Sequence, residues 1–270
     1  MELWQALILL AVGGVAGFLN VMAGGGSLLT MPVMVFMGMP GSAANGTNRV
    51  AILVQSISAT VAFFRQGFSD FRLSLSLTAC ALPGVALGAF FGTQLDGVWF
   101  NRVLAGVMLG VMALMLAGAK SEDQEGSGEP NAPEAADRPG DPQPTAAPTS
   151  RPRVVAAHLL MVLAGFYGGF IQAGVGFIIM AILHRVLGLD LVRVNMHKVF
   201  IIGAYTLVAL SVFAAGGDVV WAAGAALAVG NAVGGWIGSV CAVRKGQRLI
   251  RVVLNATLLV MVVKLLLMGD

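Results

Sequence analysis

Apolar runs of about 20 residues, the length that crosses a bilayer, recur near positions 44–63, 73–92, 98–118, 194–215, 219–242 and 249–267. Helix is the state predicted for each of them, because a lone segment in lipid must satisfy its own backbone N–H and C=O groups. Two further stretches are interrupted. Residues 4–22 run into Ala23-Gly24-Gly25-Gly26, and the shorter apolar run that follows, 27–38, is closed by Met39-Pro40-Gly41. Residues 154–172 meet Ala173-Gly174-Val175-Gly176, and the run after them ends at His184-Arg185. Clustered glycines disfavour continuous helix. The pattern therefore predicts a glycine-broken helical pair opening each half, with close helix packing through small residues as the alternative reading.

The two halves pass the same signposts in the same order. Ala16-Gly17-Phe18-Leu19-Asn20 is answered by Gly168-Gly169-Phe170-Ile171-Gln172, and each is followed by a glycine cluster. Thr47-Asn48-Arg49 then corresponds to Met196-His197-Lys198, Gly67 and Asp70 to Gly216 and Asp218, and the ladder Gly84/Gly88/Gly92 to Gly230/Gly234/Gly238. An arginine, Arg102 or Arg251, opens the last run of each half. Shared order over this length predicts a duplication of the kind found in secondary transporters. The ladders are expected to be helix-packing faces.

Composition agrees with the membrane reading. Only 11% of residues are charged against 57% hydrophobic, and the mean hydropathy is +0.86, outside the range of ordinary water-soluble domains. Seven of the thirteen acidic residues lie between Lys120 and Arg153, and no apolar span contains Asp or Glu. That segment also holds seven of the ten prolines. It cannot bury enough apolar surface to order itself. The expected organisation is a first transmembrane repeat over 1–119, a flexible Pro-rich acidic cytoplasmic linker over 120–152 and a second repeat over 153–270. The apolar start lacks a basic flank and has a counterpart in the second half, so it is expected to stay on the protein and not to be a cleaved leader. Cys80 and Cys241 sit in apolar runs and read as small hydrophobes.

Loop charges set the relative orientation of the halves. Arg65 and Arg72 flank Asp70, whereas the equivalent loop of the second half has only Asp218. The next loop reverses the bias, with Asp96 and Arg102 first and Arg244, Lys245, Arg248 and Arg251 later. Positive loops face the cytoplasm, so equivalent loops lie on opposite sides and the repeats are inverted. The fold class is thus an all-α polytopic membrane protein of two inverted repeats with about 8 to 10 membrane segments. Five plus five crossings suit inversion; eight remain an alternative because the run 177–183 is thin for a crossing.

Candidate chemistry gathers at the breaks. The start of a helix presents unpaired N–H groups and the positive end of the helix dipole, which together favour an anion. Gly24, Gly25, Gly26 and Ser27 form one such start, and Gly174 with Gly176 the other. Arg49 and Lys198 lie inside apolar spans, beside Thr47, Asn48 and His197. An intramembrane cation with no acidic partner in any span marks a site for a negatively charged solute, unless it snorkels to the interface. Asn20 and Gln172 precede the breaks and either line the cavity or satisfy freed backbone; Gln55, Ser56 and Tyr205 carry less weight. No metal-ligand cluster, nucleophile setting or G-x-x-x-x-G-K-[ST] loop occurs. Neither metal, cofactor, enzymatic activity nor a nucleic-acid partner is expected.

The broken, proline-capped opening from Asn20 to Pro40, the step Ala44-Asn45-Gly46-Thr47-Asn48 and the weaker second copy resemble the TauE/SafE sulfite exporter family, also called the four-transmembrane sulfonate uptake permease family. The second half departs from the pattern at Val194-Asn195-Met196-His197-Lys198. The resemblance spans the chain apart from the linker and implies a multi-pass transporter of the bacterial inner membrane that moves sulfite, a sulfonate or a related small organosulfur anion. Its partners are then the solute and the lipid bilayer, and a homo-oligomer is compatible with it. An anion channel and a carrier of small carboxylates are the competing readings.

Overall fold

Apolar runs become helices that turn their few polar residues inward. The computed structural model describes residues 2–68, 71–94, 99–100, 102–103, 106, 110 and 150–267. Asp70, Asp96, most of the run 98–118 and nearly all of the linker lie outside the described residues. Among those described, every regular element is helical. Helix α1 (Leu3–Met22) leads through a short break to α2 (Ser27–Phe36), α3 (Gly41–Arg65) and α4 (Arg72–Thr93). After the linker, α5 (Arg151–Phe170) breaks into α6 (Val175–Ala181), which widens into a π turn at Ile182–Val186, followed by α7 (Leu191–Ala215) and α8 (Trp221–Leu267). Gly246 interrupts α8 with φ 62° and ψ −162°.

Six of these helices are long and apolar enough to cross a bilayer: α1, α3, α4, α5, α7 and the part of α8 over Trp221–Gln247. Helix α2, with 10 residues, is about 15 Å long at 1.5 Å per residue and cannot cross alone. The chain is therefore a multi-pass membrane protein of six candidate spans among the described residues, with two short helices set between them.

Polarity is arranged inside out. Leu3, Leu7, Phe64, Leu87, Leu163 and Val229 are exposed, whereas Asn45, Thr47, Asn48, Arg49, Gln55 and Ser56 of α3 are buried, as are Asn195, His197, Lys198 and Thr206 of α7. Water would penalise the first set and lipid the second; the arrangement fits a bilayer around the outside and a polar interior. Helix α7 also has a proper start, since the Asp190 carboxylate accepts N–H bonds from Val192 and Arg193, both at 3.0 Å.

The glycine ladders fix how the halves meet. A Cβ at Gly84, Gly88 or Gly92 of α4 would collide with the carbonyls of Val162, Phe166 and Phe170 of α5. In the same way, Gly230 and Gly234 of α8 lie against the carbonyls of Leu10 and Gly14 of α1, and Gly238 lies near that of Phe18. Each ladder packs on the opening helix of the other half. Backbones approach this closely only where side chains are absent. Gly88→Val is expected to force α4 from α5 and destabilise the fold by about 2–3 kcal/mol, the scale of overpacking, seen as a lower melting temperature in detergent. An unchanged melt would mean the helices do not pack at this distance.

Candidate functional site

Both breaks fold into the centre of the molecule. Gly24 adopts φ +90°, a left-handed conformation open to glycine at little cost. Its Cα position abuts Gly176, where an added Cβ would lie 2.5 Å from the Gly176 carbonyl carbon. The second break is built differently: Gly174 has φ +72° and precedes α6, and Gln172 is the one described non-glycine residue at positive φ, +58°. Gly176 thus lies within α6, and its lack of a side chain serves the approach of Gly24. Non-glycine residues held left-handed cost about 1–2 kcal/mol. Such strain collects where a site needs a side chain in an unusual place.

A broken helix leaves orphan groups at both of its cut ends. At the start of α2, the N–H groups of Gly25, Gly26 and Ser27 have no backbone acceptor among the described residues; the same holds for Gly174 and Gly176. At the other cut ends, carbonyls are freed, and buried side chains from the opposite half take them up. Arg49 Nη1 donates to Gly168 O at 3.1 Å, Nη2 donates to Gly169 O and, at 3.3 Å, to Asn45 Oδ1, and Asn45 Nδ2 donates to Phe170 O at 2.8 Å. The guanidinium also lies 4.5 Å from the Phe213 ring centre. Three successive carbonyls at the end of α5 are therefore capped by α3. Fork geometry suits arginine to this task, and a cation complements the negative end of the helix dipole.

Lys198 does the reciprocal job. Its ammonium donates to Val21 O at the end of α1, 2.7 Å, to Asn195 Oδ1, 2.8 Å, and to Met180 Sδ at 3.4 Å. Arg49 and Lys198 are both fully buried, at 0% exposure. Neither snorkels. Their burial without a carboxylate partner follows from freed carbonyls, a source of partial negative charge that apolar periodicity does not reveal.

The other expected site residues spread around α3 and α7. Asn48 Oδ1 accepts the Thr30 hydroxyl at 2.7 Å and so joins α2 to α3. Asn20 Nδ2 donates to Gln55 Oε1 at 2.8 Å, and Gln172 Nε2 donates to Thr206 Oγ1 at 3.3 Å. Thr47 points elsewhere, its hydroxyl accepting the Val220 N–H at the entry to α8. His197 Nδ1 lies 2.8 Å from the Ser74 hydroxyl of α4. Consecutive residues on a helix point about 100° apart, so the triplets Thr47-Asn48-Arg49 and Met196-His197-Lys198 cannot all face one ligand.

Among the described residues, six buried side-chain polar atoms have no partner: Asn48 Nδ2, Arg49 Nε, Ser56 Oγ, Gln172 Oε1, Asn195 Nδ2 and Tyr205 Oη. An unpartnered buried polar atom costs about 1–3 kcal/mol, so a group of them calls for a ligand or water. Three can only donate, two can donate or accept, and one can only accept. Sequence reasoning missed Asn45, Asn195 and Thr30. The legible signal for the two asparagines was their spacing, one helical turn before a buried cation. A separate apolar groove of about 310 Å³, lined by Ser58, Ala232, Val233, Trp236 and Ile237, contains none of the unpartnered atoms.

Similarity to known proteins covers the whole of this arrangement. A family model described as "Sulfite exporter TauE/SafE" matches residues 9–265. A probable membrane transporter protein of Haemophilus influenzae is 26% identical over 90% of this chain and 88% of its own length. The probable membrane transporter protein YfcA of Escherichia coli K12 is 28% identical over 96% and 88%, and the probable membrane transporter protein ORF9 of a Sinorhizobium species is 27% identical over 93% and 88%. No solved structure matches significantly.

Proposed function

We propose, on the premise that the chain belongs to the sulfite exporter TauE/SafE family and is a membrane transporter, that its solute is a small oxyanion bound between the two glycine breaks. The observation that carries this reading is the excess of donors among the unpartnered buried atoms, in a centre with two buried cations and no Asp or Glu in any candidate span. Such a centre attracts negative charge and repels cations. The solute is held by the N–H groups of Gly25, Gly26 and Ser27 at the first break, with Gly24 leaving room for its approach, by Gly174 and Gly176 at the second, and by Asn48 and Arg49 Nε, with Lys198 contributing from the second half. Asn20 and Gln172 frame it from behind, whereas Thr47 and His197 are turned toward Val220 and Ser74. Sulfite or a sulfonate, with three oxygens around sulfur, uses converging donors better than a planar carboxylate does. An inner-membrane location follows for a bacterial carrier of this kind.

Two inverted repeats moving against each other supply alternating access. Three features support this: the reciprocal packing of each ladder on the other half's opening helix, the reciprocal capping by Arg49 and Lys198, and the meeting of Gly24 with Gly176. Initial rates of labelled sulfite, methanesulfonate and acetate entry into proteoliposomes test the reading. Saturable entry of a sulfur oxyanion, competed by unlabelled anion, is expected. Linear, unsaturable flux would identify a channel, saturable flux confined to acetate a carboxylate carrier, and no anion flux from folded protein would overturn the anion site.

A further inference from the structure

Lys198 and Arg49 occupy matching places, yet they differ in one chemical respect: a lysine can give up its proton and an arginine cannot. We propose that Lys198 is the proton-binding site of the transporter, protonated when the solute is bound and neutral when the empty centre returns, so that anion and proton move together. The inference rests on the anion reading above.

Its argument is about charge in the empty carrier. With an anion bound, two buried cations have a counter-ion. Without one, both charges sit in a low-dielectric interior that holds no carboxylate in any candidate span. Arg49 tolerates this state, since two peptide carbonyls, the Asn45 side chain and the Phe213 ring surround it. Lys198 has poorer company: two oxygens, from Val21 and Asn195, and a thioether, Met180 Sδ. A thioether is a weak acceptor, so one of the three ammonium N–H bonds is poorly satisfied. Asn195 can serve the neutral amine as well: its Nδ2 is buried and unpartnered, and a half-turn of the amide exchanges Oδ1 for Nδ2 beside Nζ, where an amine nitrogen accepts a hydrogen bond that an ammonium cannot.

The surrounding helices offer few rivals. Besides Arg49 of α3, the buried or half-buried titratable groups among the described residues include His197 and Tyr205 of α7, Tyr167 and His158 of α5, Cys80 of α4 and Cys241 of α8; His158 is engaged with the Ser76 hydroxyl and the Val154 carbonyl. His197 Nδ1 is engaged with Ser74, and the Tyr167 hydroxyl donates to the Ala173 carbonyl. Glu2, which caps α1, Arg72 at the start of α4, and Arg244 and Lys245 beside the Gly246 break of α8 are exposed. In the proton step one Nζ–H bond breaks, the electron pair stays on nitrogen and the proton passes to water on the side where the solute leaves. The reverse reaction takes a proton from water on the side of entry. Proton and anion then favour each other's binding by the same factor.

Proteoliposomes with voltage clamped at zero and labelled methanesulfonate or sulfite as probe decide the matter. For wild type, one proton per monovalent anion gives about tenfold accumulation per unit of imposed pH gradient, a ratio equivalent to about 1.4 kcal/mol. K198R keeps the charge but not the exchangeable proton. It is expected to lose gradient-driven accumulation while still exchanging anion between the two sides, whatever the rate of that exchange. H197Q is expected to keep the wild-type accumulation ratio whatever its rate. Wild-type accumulation indifferent to the pH gradient would overturn the proposal, as would wild-type accumulation by K198R or loss of both activities in folded K198R, which would leave Lys198 a helix cap only. Absence of exchange of either probe by wild type would instead overturn the anion reading.

Discussion

Arg49→Gln is expected to lower solute flux by about 100-fold or more, a loss of about 2.8 kcal/mol or more, while the chain still inserts in the membrane. Insertion is carried by six apolar spans, none of which needs the guanidinium. In the proposed site, flux draws on it twice. Its Nη atoms hold the carbonyls of Gly168 and Gly169, and its Nε is an unpartnered donor in the centre. A hydrogen bond from a charged donor is worth about 1.5–3 kcal/mol, and a factor of ten in rate corresponds to about 1.4 kcal/mol. Glutamine reaches neither pair of oxygens and leaves carbonyls at the end of α5 buried without partners. A lower melting temperature therefore accompanies the lost flux. Arg49→Lys restores the charge without the planar fork and is expected to recover only part of either loss. Initial rates in proteoliposomes, normalised to folded protein on size exclusion, provide the check. A well-folded glutamine variant transporting at the wild-type rate would remove Arg49 from the site.

The second large effect is expected at the contact between the breaks. Gly24→Ala places a Cβ 2.5 Å from the Gly176 carbonyl carbon at a residue with φ +90°. Left-handed strain of about 1–2 kcal/mol adds to an overpacking cost of about 1–3 kcal/mol. Two comparisons separate these contributions. Gly38→Ala meets the same strain, φ +88°, with nothing within 4 Å of the new Cβ. Gly176→Ala meets the same crowding, with a Cβ 2.5 Å from the Gly24 Cα, at a position inside α6. The order expected in thermal melts is Gly24→Ala lowest, the two single-cause variants between it and wild type. Equal melting of Gly24→Ala and Gly38→Ala would show that the breaks do not touch.

The membrane class was readable because apolar length and scarcity of charge are one-dimensional properties. Residues 44–63, 73–92 and 194–215 were each recovered within helices α3, α4 and α7. The interruptions were legible too, since glycine clusters at 24–26 and 174–176 weaken helix locally whatever surrounds them. Their details were not. Gln172 in the left-handed region and the π turn at Ile182–Val186 depend on what α5 and α6 pack against. The ladders announced helix packing by their four-residue spacing, but not that each would choose the opposite half's opening helix.

The same division runs through the site. By itself, the sequence determined a helical membrane protein with two glycine-broken openings and two cations, Arg49 and Lys198, in spans without acids. Only the tertiary structure decided where those cations go: to the cut ends of α5 and α1, across the boundary between halves. The reason is physical. A residue's cost in lipid is set by its own chemistry and its local neighbours in the chain, whereas its hydrogen-bond partner is chosen by the arrangement of distant backbone groups, and freed carbonyls more than a hundred residues away leave no mark on the local pattern of apolar and polar positions.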